Sequence, residues 1–413
     1  MKKLLAMLLP FAMLMSLCAC GGGAASSTPV AGTEAADSEE PAAEVTEDPS
    51  AEAVDWQSVY DEAASLYYTD YDYPAAFEKL QGAEESDNAS VLYLLGLCCY
   101  NGNGTERDEA KGAELLAKAV ELGSISAKYY LADAYKTGRG VEADSEKADE
   151  LYKSFLTEAE SAEPADTPEY GRMLYSITMC YIYGYGTKVD KENAAKYAKM
   201  ALESGNVGVI STYSLAAGYE SGKIGEGNTD KARKLYADIF PQIEELANKG
   251  ISEAERFYAQ YYHYGDGGVE QDYTKALEWY EKAAEQGNYG AMAQIGVLYA
   301  NGNGVEQDYV KAAEWCEKAA ELGDATSMKN LGIAYAKGNG VEQDYAKALE
   351  WYKKAAELGN DVAMFCIGAM YANGQGVDVD YNLALEWFEK AADQGNENAV
   401  DTIAMLRNQG LVN

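Results

Sequence analysis

The chain has 413 residues, 68 acidic against 33 basic, for a formal net charge of −35. A surface this acidic repels nucleic acid and anionic lipid headgroups, which excludes both as partners recognised by charge. Glycine is abundant at 40 residues and proline scarce at 8, and Pro10, Pro29, Pro41 and Pro49 all lie near the N-terminus, so the body of the chain is nearly free of helix breakers.

Residues 1–20 open with Lys2 and Lys3, continue through an apolar run from Leu4 to Leu17, and end in Leu17-Cys18-Ala19-Cys20. The run is too short to span a bilayer comfortably and has the charge-then-apolar order of a secretory leader. Its ending resembles the lipobox of bacterial lipoproteins, with Cys20 as the lipidated residue. Cys18 fits less well, because bulky Leu17 stands directly before it. The resemblance implies cleavage before Cys20, diacylglyceryl transfer to its sulfur and an extracytoplasmic, membrane-anchored protein; the flanking glycines are similar to those of lipoproteins from Gram-positive Firmicutes. Residues 21–54 carry eight acids, three prolines and no Lys or Arg. With so little apolar surface they read as a disordered acidic tether.

Beyond the tether the chain repeats itself. Residues 55–88 read as a degenerate first unit. Residues 89–251 hold divergent units that keep landmarks such as Asn101–Gly104, Gly138-Arg139-Gly140 and Gly184-Tyr185-Gly186, with an insertion at Pro164 and Pro168 and a widened loop from Gly222 to Gly227. In residues 252–396 the units become regular: Trp279, Trp315, Trp351 and Trp387 recur every 36 residues. Residues 397–413 read as a closing helix. A fixed period of this length marks a stack of supersecondary units, here an all-α, α-solenoid architecture.

Residues 325–360, ATSMKNLGIAYAKGNGVEQDYAKALEWYKKAAELGN, show how one unit folds. Met328, Leu331, Gly332 and Tyr335 form the apolar stripe of a first helix, and Gly332 lets a second helix approach closely. Gly338-Asn339-Gly340 accepts positive φ and ends that helix. Asp344 is placed to cap a second helix over 345–358, and Gly359 to end it. Glu350 and Lys354 are spaced for an i, i+4 ion pair, repeated as Glu278/Lys282, Glu314/Lys318 and Glu386/Lys390. Tyr335 and Trp351 are expected to fill the space between helices.

The motif A-x-x-x-(L/I)-G-x-x-Y-x-x-G-x-G-V-x-x-D-Y-x-K-A-x-x-W-Y-x-K-A-A-x-x-G resembles the Sel-one-like repeats, relatives of the tetratricopeptide repeat. The resemblance covers residues 55–413 and implies a right-handed superhelix of helix-turn-helix units, with the first helices lining its concave face and a role as scaffold or adaptor for protein complexes. Some secreted Sel-one-like proteins carry a cysteine pair in each repeat, and penicillin binding has been proposed for them. Here Cys98, Cys99, Cys180, Cys316 and Cys366 depart from that pattern and read as small core residues.

Signs of catalysis are few. His263 is the single histidine; it falls near the end of a first helix, off the apolar stripe, and reads as a partly exposed helix-end residue rather than a catalytic one. The acids recur periodically in capping and pairing positions, whereas a catalytic pair should occur once. The chain therefore reads as a non-enzyme with no metal and no cofactor. First-helix positions off the stripe are unusually aromatic and apolar: Tyr93, Tyr129, Tyr130, Tyr175, Met179, Phe257, Ile333 and Phe365 are the candidate lining of a peptide groove, unless curvature buries them. The expected function is a membrane-tethered scaffold that holds a protein or peptide, with the net charge favouring a basic partner and no role for nucleic acid. A cell-envelope hydrolase or muropeptide binder is the alternative.

Overall fold

The computed structural model describes residues 54–412. The leader, Cys20 and the acidic stretch as far as residue 53 lie outside the described residues. Nineteen α-helices and no strand occur among those described. In the regular region they pair as Ser252–Tyr264 with Tyr273–Glu285, Tyr289–Asn301 with Tyr309–Glu321, Ala325–Lys337 with Tyr345–Glu357, and Asp361–Asn373 with Tyr381–Asp393. Each first helix packs chiefly on the second helix of its own unit, and each second helix then packs on the first helix of the next. The buried apolar residues accordingly fall into four successive clusters along the chain rather than one ball. This is an α-solenoid, with a core one unit deep.

Helix ends follow the local chemistry. The Asp344 carboxylate accepts from the amides of Ala346 at 2.9 Å and Lys347 at 3.1 Å, and its own amide donates back to the Tyr335 carbonyl at 2.9 Å. Asp108, Asp144, Asp190, Asp272, Asp308 and Asp380 cap other second helices in the same way. Each such cap contributes roughly 1 kcal/mol. Pro168 stands in the first turn of the helix Pro168–Tyr183, where a missing amide hydrogen costs nothing, and Thr167 caps it. In the first unit no glycine is available: after the helix Trp56–Ser65 a π-helical turn, Leu66–Asp70, ends on Tyr71, held at φ 56°.

Two glycines set the packing. A Cβ on Gly332 would lie 2.5 Å from the ring of Tyr352, the buried aromatic of the same unit's second helix. A Cβ on Gly340, besides the strain of φ 73°, would lie 2.0 Å from the Tyr309 carbonyl oxygen in the unit before. The second contact recurs where Gly104 meets Tyr73, Gly140 meets Glu109, Gly304 meets Tyr273 and Gly376 meets Tyr345. One glycine thus seals the unit and the other docks the units together.

Two expectations need correction. The four spaced Glu/Lys pairs of the regular units form no ion pair within 4 Å among the described residues. Their lysines lie over the tryptophan rings instead: Lys282 at 3.4 Å from the Trp279 centroid, Lys318 at 4.1 Å from Trp315, and Lys354 and Lys390 at 4.2 Å from Trp351 and Trp387. An indole face offers both charge attraction and cover for the lysine stem, which an exposed carboxylate does not. The tryptophans are correspondingly half-buried; Tyr280, Tyr352 and Phe388, one residue further on, are the buried ones.

The superhelix winds tightly enough for distant units to meet. Tyr60 donates to Glu169 at 2.5 Å. A Cβ on Gly287 would lie 3.8 Å from the Arg107 guanidinium, one on Gly323 3.7 Å from Arg139, and one on Gly359 3.5 Å from the Lys136 ammonium.

Gly340→Ala is expected to cost about 3 kcal/mol, combining left-handed strain with overpacking. Gly395→Ala, which has φ 89° and open space around the added carbon, should cost about 1 kcal/mol. Urea unfolding followed by circular dichroism separates them, and equal losses would remove the docking argument.

Candidate binding face

First helices, the loops on either side of them and Tyr236 of one second helix line two hollows. One, of about 630 Å³, extends from Tyr67 to Tyr289 in sequence. The other, of about 700 Å³, lies among Tyr175, Tyr183, Tyr213, Phe257 and Tyr264. Tyr175, Ser214, Arg256 and Phe257 belong to both and form their common wall. Volumes of this size suit a small ligand or a few residues of peptide.

The candidate groove residues divide between these hollows and the core. Tyr129, Tyr130, Tyr175 and Phe257 line the first hollow, and Tyr175, Met179 and Phe257 the second. Ile333 lines a separate hollow of about 290 Å³ in the C-terminal units. Tyr93 and Phe365 line none of these and are core residues at 1% and 3% exposed, while Met179 and Phe257, at 8% and 3%, are core residues that also border a hollow. Tyr93 packs against Tyr130 at 5.9 Å between centroids, and Phe365 against Phe388 at 5.2 Å. Tyr93 is covered by the next unit and Phe365 by the second helix of its own, contacts that a count of faces on one helix does not anticipate.

Rings fix one another in the wall. Tyr213 stacks on Phe257 at 4.1 Å, and Tyr129 touches Tyr130, Tyr152 and Phe155 at 5.3, 5.6 and 5.5 Å. At the mouth of the second hollow, Tyr183 and Tyr264 are 43% and 53% exposed, large for aromatic residues.

Charge inside differs from charge outside. The first hollow is lined by five basic side chains (Arg107, Arg139, Arg172, Lys249 and Arg256) and two acidic ones, Asp133 and Glu253. Arg139 pairs with Glu109 at 2.9 Å, and Arg256 with Glu253 at 2.7 Å while lying over the Phe257 ring. Burial pushes the Asp133 carboxyl above its ordinary range and brings Lys136, beside it, down to about 8. Arg172 is nearest to the Tyr130 hydroxyl and Ser211 Oγ, both at 3.4 Å, and its buried Nε has no partner among the described residues. Sequence reading passed over Arg172. Its register position carries Ser90, Ser126, Glu253, Gly290, Thr326 and Val362 in other first helices, so no pattern across the units marks it.

His263 also departs from expectation. It is 7% exposed rather than partly open, with its ring stacked on Tyr264 at 4.3 Å and Nδ1 at 3.3 Å from the Tyr280 hydroxyl. Burial lowers its pKa. The cysteines Cys98, Cys99, Cys180, Cys316 and Cys366 are buried, and desolvation pushes the Cys98 thiol up to about 12 and Cys366 to about 11. Thiols so raised are poor nucleophiles. Among the described residues no three His, Cys, Asp or Glu side chains converge as a metal site would require, and no helix is long and apolar enough to cross a membrane.

A family model described as the Sel1 repeat matches eight segments: 89–124, 125–154, 170–206, 209–237, 252–288, 290–324, 325–360 and 362–396. Among curated proteins, the ERAD-associated E3 ubiquitin-protein ligase component HRD3A of Arabidopsis thaliana is 30% identical over 139 residues, covering 32% of this chain. The chain spans 20% of the length of that relative. Among solved structures, c5321, a protective antigen of uropathogenic Escherichia coli displaying an SLR fold, is 26% identical with a TM-score of 0.39, over 86% of this chain and 80% of that one. A Sel1 repeat protein from Oxalobacter formigenes is 27% identical with a TM-score of 0.38, over 80% and 89%.

The lowered pKa of His263 has a definite sign. A histidine kept neutral by folding contributes stability above its ordinary pKa, and that contribution is lost as pH falls through it. Taking the protein from about pH 7.5 to about pH 5.5 should therefore lower the urea midpoint more for the native chain than for His263→Gln. Parallel losses in the two would show that His263 is not held neutral by the fold.

Proposed function

The chain belongs to the Sel1 repeat family, whose members generally mediate protein–protein interaction, and on that premise we propose that it is a membrane-tethered scaffold whose concave face holds a protein or peptide partner. The observation that carries the proposal is the aromatic mouth of the second hollow. Tyr183 and Tyr264 are largely exposed, face one cavity and flank the stacked pair Tyr213 and Phe257. Rigid amphipathic rings around a concavity are the usual anchors of a protein interface.

The tether belongs to the same proposal. Cys20 would carry the lipid, the acidic residues after it would hold the solenoid off the bilayer, and the partner would lie outside the cytoplasm, at the surface of a Gram-positive membrane. The chain's net charge of −35 would steer a basic partner toward it from a distance and make the encounter rate fall with salt. Glu220 and Asp266 on the wall of the second hollow would receive basic groups there.

Tyr183→Ala combined with Tyr264→Ala should weaken capture of a specific partner from envelope extract by about tenfold or more. Val379→Ala, exposed and remote from the hollows, should leave it unchanged. Equal capture by all three proteins would place binding elsewhere, and recovery of muropeptide without protein would favour the cell-wall alternative.

Cys20→Ser should abolish labelling by a palmitate analogue and release the protein from the membrane fraction, whereas Cys18→Ser should do neither. Labelling that survives Cys20→Ser would overturn the lipid-anchor assignment.

A further inference from the structure

Arg172 poses a problem that packing does not solve. The chain contains 68 carboxylate side chains, yet none of those described lies within ion-pairing distance of this guanidinium. Its nearest oxygens, Tyr130 and Ser211, are both at 3.4 Å, at the long limit of a hydrogen bond, and Nε has nothing. The Tyr68 ring centroid lies 5.9 Å away. A buried guanidinium left this way is expensive, and a single glutamate nearby would have relieved it. Arg107 lines the same hollow and likewise makes no ion pair among the described residues.

Resting on the concave-face reading above, we propose that the first hollow seats a carboxylate-bearing peptide, with the carboxylate bound by Arg172 and, at the rim, Arg107. A guanidinium presents donors in a fork that matches a carboxylate. The surrounding tyrosine rings give the adjoining residues flat apolar walls, and a cavity of about 630 Å³ is far larger than an isolated ion needs. The acidic exterior does not forbid this, because charges beyond about 8 Å are largely screened at physiological ionic strength. Inside, the unpaired cations decide. A partner drawn in by basic groups on its surface can still end in this carboxylate contact.

The test is calorimetric titration of the whole chain with an N-acetylated octapeptide of Glu, Asp and Tyr, alongside its Gln/Asn counterpart and its C-terminally amidated form. The acidic peptide should bind, and Arg172→Gln should weaken it by about tenfold or more, with Arg107→Gln a second, smaller loss. Loss on amidation assigns the carboxylate to the chain terminus; retention assigns it to side chains. Because Arg172 has no ion pair to lose, its variant should melt no lower than the native protein. A lower melting point with unchanged affinity would make Arg172 a packing residue and overturn the proposal. Equal binding of the Gln/Asn peptide would overturn it while leaving the concave-face reading intact. Failure of every peptide to bind would overturn it as well, the scaffold reading then standing or falling on partner capture at Tyr183 and Tyr264.

Discussion

Close approach at glycine is the constraint on which this architecture depends. A two-helix unit cannot bury its apolar stripe alone, so it must press against its neighbour, and the distance of approach sets how much water is expelled. At Gly332 the limit is the Tyr352 ring, and at Gly340 it is the backbone of the preceding unit. Any side chain at either place would open a gap through which the one-unit-deep core would be wetted. The conspicuous glycine content of the sequence is therefore a packing requirement more than a sign of mobility.

Most of the fold was legible for that reason. The glycine landmarks, the capping aspartates and the returning aromatic positions are local demands repeated at a fixed interval, and each is visible in residues 325–360 alone. What depended on contacts between helices was not. Tyr93 and Phe365 occupy off-stripe positions on their own helices but are buried against Tyr130 of the next unit and Phe388 of the same unit. His263 disappears into a cage of three tyrosines contributed by two helices. The lysines of the regular units choose indole faces over carboxylates, a competition between two side-chain contacts that spacing alone does not rank.

The binding face was legible only as an aromatic excess. Which tyrosines reach the interior cavities follows from how distant units meet, as when Tyr60 bonds to Glu169, and no pattern within one unit encodes that. Composition also misled about polarity. A chain dominated by acids lines its first hollow with five basic side chains and two acidic ones, so bulk charge describes how a partner arrives and the lining describes what it finds. Arg172 was not legible, because its register position also carries Glu253 and Val362 and its identity alone does not set it apart.

The meeting of distant turns has a mechanical meaning. Arg107, Arg139 and Lys136 approach Gly287, Gly323 and Gly359 across the turns, and Tyr60 bonds to Glu169, so the coil closes by side chains reaching from one turn to another. Extension of the coil has to part these contacts, the Tyr60–Glu169 hydrogen bond among them. Parting them leaves the packing of each helix on its sequence neighbours in place, so the turns can separate without unfolding a unit.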